Sequence, residues 1–123
     1  MRTNESAENY LETIFVLKKK SGYVRSVDVA RELSFTKASV SIAMKNFREK
    51  GYITIDENGC IFLTAKGQEI AEKVYERHNV IATALMALGV DSDIAFEDSC
   101  KIEHVISDES FEKIKEHLDR YSK

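Results

Sequence analysis

A mostly α fold with one small β-hairpin is predicted for this 123-residue sequence. It divides into an N-terminal winged helix-turn-helix and an all-helical second domain. Three observations carry this expectation. Helical runs are punctuated by capping residues and glycines, and the chain has no proline. Two β-rich runs, "YITI" and "CIFL", flank "DENG", a turn signal. Charge is unevenly shared. Residues 18–50 hold nine Lys/Arg against Asp28, Glu32 and Glu49, whereas residues 51–123 hold eight against fifteen Asp/Glu.

The elements follow in order. "AENYLETIFVLKKK" (7–20) places Tyr10, Leu11, Ile14, Phe15 and Leu17 at helical spacing. Lys18 to Lys20 sit where the helix dipole favours cations, and Gly22 ends the run. Ser26 is the expected cap of "VDVARELS" (27–34), with Asp28 in its first turn. Thr36 caps "KASVSIAMKNFREKG" (37–51), and Gly51 suits a C-terminal left-handed residue. A short helix, a turn of about three residues and a basic helix form a helix-turn-helix. Ala30 is small where the two helices approach, and Leu33, Val40, Met44 and Phe47 supply apolar faces. The hairpin over 52–64, turning at Asn58-Gly59, is then the wing. Thr64 caps a long helix over 65–89, with Ile70, Val74, His78, Ile81, Leu85 and Leu88 on one stripe and Gly89 at its end. Residues 90–106 and 108–123 read as two or three further helices, capped by Asp91 and Ser107.

Domain boundaries are expected at 1–73 for the winged helix-turn-helix and 74–123 for the helical domain. The second domain carries Ile81, Leu85, Met86, Leu88, Ile94 and Phe96, more apolar surface than about 50 residues readily hide. A homodimer interface follows from that. No apolar run approaches membrane-spanning length, and "MRTNESAENY" lacks the core of a signal peptide. A cytoplasmic protein is expected, with Cys60 and Cys100 as free thiols or ligands rather than a disulfide.

Two constellations carry chemistry. Cys100, Glu103 and His104 are spaced to share a helical face. Asn9 and Glu12 are three apart on the first helix, and His78 interrupts the apolar stripe of the long one. Taken singly, His78 is an ordinary buried histidine, Cys100 a small core residue and Glu12 a solvated charge. Together, a thiol, carboxylates and imidazoles suit a transition metal rather than calcium or magnesium, and the thiolate leans toward iron, cobalt or zinc over manganese. The other constellation is the start of the basic helix. Thr36, Lys37, Ala38, Ser39 and Ser41 occupy the end that enters a major groove, with Lys37, Lys45 and Arg48 as phosphate contacts.

"NYLETIFVL", the helix-turn-helix with its wing, "LTAKGQEIAEKVYERH" and "CKIEHVISDE" together resemble the diphtheria toxin repressor / manganese transport regulator family of metal-dependent repressors. The resemblance covers essentially the whole chain. It implies a homodimer that grips double-stranded, palindromic operator DNA near metal-homeostasis genes once Fe(II) or Mn(II) is bound. Fe(II) is favoured and Mn(II) next, with Co(II), Ni(II) or Zn(II) as substitutes in vitro. It implies the ligand set Asn9, Glu12, His78, Cys100, Glu103 and His104. Cys100 matches the iron-type branch and Glu12 the manganese-type branch. Asn9 stands where one branch has methionine and the other aspartate. Ala82 and Phe96 replace ligands of an ancillary site, so that site is absent in its iron-type form. Ile42 stands where the iron-type helix has glutamine, and an isoleucine there suits a thymine methyl. The wing tip lacks the basic residue common in the family. No enzyme activity, membrane or small organic substrate is implied. The competing reading is a winged-helix DNA-binding regulator whose metal site has decayed or that answers another signal. A metal hydrolase using Glu12 or Glu103 as base lacks a substrate cleft, and a redox pair of Cys60 and Cys100 would span different domains.

Overall fold

The computed structural model describes residues 5–121. Six helices and one hairpin run in the order α1 (Glu5–Ser21), α2 (Ser26–Leu33), α3 (Lys37–Glu49), β1 (Ile53–Ile55), β2 (Ile61–Leu63), α4 (Ala65–Ala87), α5 (Ser92–Ile102) and α6 (Asp108–Tyr121). The chain forms two compact units, divided between Glu72 and Lys73.

The first unit is built on apolar residues that leave water completely. Leu11 and Ile14 of α1, Val29 of α2, Val40 and Met44 of α3, and Ile53 and Ile61 of the hairpin are at most 1% exposed. Full burial of each contributes about 1.5–3 kcal/mol before entropy is charged. Tyr10 meets Phe35 and Phe47 edge-on, with ring centroids 5.7 and 5.5 Å apart. These contacts fix α1 against the α2–α3 turn.

That turn depends on one unusual backbone. Ser34 takes a left-handed conformation at φ 59°, the only positive φ outside glycine among the described residues. Its amide and that of Phe35 both return to the Ala30 carbonyl, so α2 stops and the chain reverses within three residues. Thr36 then caps α3 as expected, accepting from the Ser39 amide at 3.1 Å. At the other end of α3, Gly51 at φ 81° lets the Tyr52 amide reach back to Phe47 O.

Two local expectations need correction. Ser26 does not cap α2; it lies inside the helix. Arg25 is the N-cap, and the Asp28 carboxylate accepts its amide at 3.0 Å. Asp28 therefore does the capping from the first turn, because its short carboxylate reaches back three residues. The wing also does not turn on a two-residue Asn58-Gly59 loop. Asp56 and Cys60 close the strands across three residues, and Gly59 alone has positive φ. A Gly after a tight turn in such a three-residue loop is the bulged hairpin form. Asp56 Oδ1 holds it by accepting from the Asn58 and Cys60 amides, both at 2.9 Å. The hairpin pairs Ile53 with Leu63, Thr54 with Phe62 and Ile55 with Ile61. Cys60 further bridges to Arg25, and Ile61 donates to Val24 O at 2.7 Å.

Thr64 tethers the start of α4 twice. Its amide-facing oxygen accepts from Gly67 N, and its hydroxyl donates to Gly51 O at 2.6 Å. Gly67 lies so close to Tyr52 that an added Cβ would sit 2.1 Å from the Tyr52 carbonyl oxygen. In the second unit Val74, Ile81, Ala82, Ala95 and Phe111 are buried. Gly89 ends the turn after α4, with Val90 N donating to Leu85 O. Asp91 and Ser107 cap α5 and α6 by accepting from the Asp93 and Ser110 amides. The apolar stripe expected over 65–89 outlasts the helix, which ends at Ala87, and does not stay buried throughout: Leu88, in the turn that follows, is 82% exposed. Among the described residues no helix is long and apolar enough to cross a membrane.

Candidate metal centre and DNA-facing helix

Within the second unit the side chains of His78, Cys100 and Glu103 converge. One donor atom from each lies within 4.8 Å of the others. Donors about 2.0–2.3 Å from a shared zinc-like ion are at most about 4.6 Å apart, so only slight side-chain rotation separates this set from one that shares an ion. His78 comes from the middle of α4 and Cys100 from the last turn of α5.

Glu103 lies just past α5. The helix ends at Ile102, earlier than the 90–106 expected, but Glu103 keeps helical angles at φ −58° and ψ −25°. Its amide still donates to Ser99 O. The three-residue spacing to Cys100 is therefore preserved although the segment 103–105 is a turn. His104 lies in that turn.

Glu103 is 1% exposed, and its carboxylate is set between two imidazoles. Oε2 lies 3.1 Å from His78 Nδ1, and Oε1 lies 3.4 Å from His104 Nε2. His104 is outside the three-donor cluster and adjoins it through Glu103. A carboxylate taken out of water is costly unless positive charge or donors face it. A protonated imidazole or a bound cation both meet that demand. The donor set thus fits a divalent transition metal: carboxylate, imidazole and thiol together.

Three features missed by the sequence reading hold this arrangement. The buried Ser99 hydroxyl donates to the His78 carbonyl and ties α5 to α4 beside Cys100. Phe96 stacks on His78, with centroids 5.6 Å apart and 24° between planes. Arg77 reaches the carbonyls of Glu103 and Ile106. Only Ser99, a small polar residue next to Cys100, carries a trace of this in sequence. Ala82 is fully buried. Asn9 and Glu12 lie one turn apart on α1, in the first unit, both half-buried.

In α3 the buried face is Val40, Met44 and Phe47. Lys37, Ala38, Ser39, Ser41, Ile42, Lys45 and Arg48 are all exposed. Thr36 is exposed too, but its hydroxyl is occupied, donating to Ser39 Oγ at 2.9 Å while capping the helix. Ile42 is 65% exposed, a large apolar side chain left in water amid hydroxyls and cations.

Comparison with known proteins gives this geometry a family. Residues 2–59 match the family model described as iron dependent repressor, N-terminal DNA binding domain. Residues 64–123 match its metal binding and dimerisation domain. The chain is 32% identical over 120 residues to MJ0568 of Methanocaldococcus jannaschii, an uncharacterized HTH-type transcriptional regulator; the match covers 96% of each chain. It is 30% identical over 112 residues to the HTH-type transcriptional regulator MntR of Bacillus subtilis, covering 91% of this chain and 79% of that one. Among solved structures, the manganese regulator SloR superposes with a TM-score of 0.79 at 28% identity, over 97% of this chain and 55% of that one. The fold is also that of T. acidophilum IdeR, with a TM-score of 0.81 at 22% identity, over 100% of this chain and 56% of that one. The chain spans about half the length of these two structures. Its two halves, in order, place the chain in the iron dependent repressor family, whose members are metal-dependent transcriptional regulators and not enzymes.

Proposed function

We propose that this protein is a cytoplasmic, homodimeric repressor of metal-homeostasis genes that binds a palindromic operator when loaded with Fe(II), or next with Mn(II). The observation that carries it is the convergence of His78, Cys100 and the buried Glu103 within 4.8 Å. His104 lies beside Glu103, and Asn9 and Glu12 of α1 are the further members of the proposed set. Cys100 favours iron, cobalt or zinc over manganese among these metals. The relatives' names, MntR and the manganese regulator SloR, support keeping Mn(II) second. A bound divalent ion would neutralise the Glu103 carboxylate and a Cys100 thiolate. The protein's own residues supply the rest: Ser99 holds α5 on α4, and Arg77 holds the turn that carries Glu103 and His104.

For DNA, Lys37, Lys45 and Arg48 would contact phosphate, which gives affinity and salt dependence. Ala38, Ser39, Ser41 and Ile42 would face base edges, and Thr36 would position the helix end that enters the groove. The proposed domains are 1–73 for DNA binding and 74–123 for metal binding and dimerisation.

The test is a fluorescence-anisotropy titration of operator DNA with Fe(II), Mn(II), Co(II) and Zn(II), on the wild type and on His104→Ala. Metal should raise wild-type DNA affinity roughly 5–150-fold, the usual range of such couplings, and should do much less in His104→Ala. Equal affinity with and without metal in both proteins would sink the reading and favour a regulator that ignores metal.

A further inference from the structure

Arg77 is the residue immediately before His78 on α4, yet its side chain goes elsewhere. It is 11% exposed. Nη1 donates to the carbonyl of Ile106 at 3.0 Å and to that of Glu103 at 3.4 Å. Nη2 donates to the Asp108 carboxylate, and the guanidinium carbon lies 5.0 Å from the centre of the Phe111 ring. One side chain thus grips the turn at its beginning, its end and the first residue of α6. Carbonyls at the end of a helix have no partner within it. An arginine, with five donors in a planar fork, can serve several at once where a lysine cannot.

The same turn carries Glu103 and His104. Successive residues on a helix point about 100° apart, so Arg77 can be sequestered while His78 faces Glu103. A buried cation beside a cation-binding cluster would ordinarily oppose metal. Here the charge is turned away and matched by Asp108. We propose that Arg77 is a positioning residue for the metal centre. It clamps the α5–α6 turn onto α4 and so sets the Glu103 carboxylate against His78 before any ion arrives. This inference presupposes the metal site proposed above.

The alternative is that Arg77 merely holds two helices together. A second link between α4 and α6 allows that to be separated. Lys115 of α6 donates to Glu76 of α4 at 3.1 Å. The experiment is Co(II) titration of the purified protein, followed by visible and near-ultraviolet absorption that reports thiolate and imidazole ligation. It compares wild type, Arg77→Lys, Asp108→Asn and Lys115→Ala, with circular dichroism to give the folded fraction. Arg77→Lys keeps the charge and loses the fork. Its Co(II) affinity should fall roughly 10–100-fold, as when outer partners of metal ligands are removed, with an altered spectrum. Asp108→Asn, at an exposed position, should give a smaller loss in the same direction. Lys115→Ala should match the wild type.

Wild-type affinity and spectrum in folded Arg77→Lys would overturn the proposal. If that variant does not fold, wild-type behaviour of Asp108→Asn does so instead. A loss in Lys115→Ala equal to that in Arg77→Lys would also overturn it, because any α4–α6 link would then suffice. If the wild type binds no Co(II), the metal site itself fails and this inference with it. Tight wild-type binding with unaffected variants overturns only the role of Arg77.

Discussion

The Glu103 carboxylate is the side chain with the most at stake. Its burial between two imidazoles is the kind of arrangement that a protein retains for a ligand rather than for stability. Cys100 is the donor that separates the candidate metals. Cys100→Ser should abolish the thiolate absorption of the Co(II) form and lower Co(II) affinity roughly tenfold or more, at least the loss seen for outer-shell partners; an unchanged spectrum would exclude Cys100 as a ligand. Ile42 is the comparable residue on the DNA side. It is 65% exposed, so Ile42→Gln should leave stability within about 0.5 kcal/mol. Operator selection from a randomised library should nevertheless shift away from thymine at one position per half-site. Identical selected sequences would remove Ile42 from base reading.

At the scale of elements, the helices were legible in sequence because each carries its own stop and start signals. Thr36, Asp91 and Ser107 cap as their positions suggest, and Gly51 and Gly89 take the left-handed backbone that only glycine adopts freely. What escaped was whatever depended on a partner distant in sequence or on the choice between neighbours. Ser26 and Asp28 both suit a helix start, and only the folded backbone decides that Asp28 does the capping. Arg77 gave no signal, because its acceptors include backbone carbonyls, which leave no mark in a sequence. Cys100 and Glu103 were legible as a pair because a thiol and a carboxylate stand three residues apart, and His78 because an imidazole interrupts an apolar stripe. The continuation of that spacing past the end of α5 was not, since Glu103 keeps helical angles after the helix has ended.

Gly67 tests the element scale directly. In an ordinary helix interior, alanine would be favoured over glycine by about 0.5–1 kcal/mol. Here the new Cβ would lie 2.1 Å from the Tyr52 carbonyl oxygen, a backbone atom that cannot step aside cheaply. The clash should win, with Gly67→Ala destabilising by about 1–3 kcal/mol, the usual cost of overpacking. Urea denaturation measures it, and a stabilised variant would show that α4 can move off the hairpin.

For the whole molecule, the division of charge sets how DNA affinity responds to salt. The chain has a net charge of −3, yet its basic residues gather over 18–50. Binding should therefore weaken steeply as salt rises, despite the overall negative charge. Lys45→Ala should reduce the slope of log affinity against log salt by about one. An unchanged slope would place Lys45 away from the phosphates. Metal binding should weaken as pH falls, because the ligands must shed protons to coordinate; a pH-independent Co(II) affinity would contradict the donor set.

The bare apolar side chains of the α4–α5 turn and of α5 reach beyond structure into mass action. Leu88 is 82% exposed, Ile94 52% and Phe96 40%, in the half that matches a dimerisation domain. If a second copy covers these side chains, folding and association share one free energy. The melting temperature then belongs to a concentration as much as to a sequence. It should climb as the protein is concentrated and fall on dilution, and Leu88→Asp should flatten that dependence.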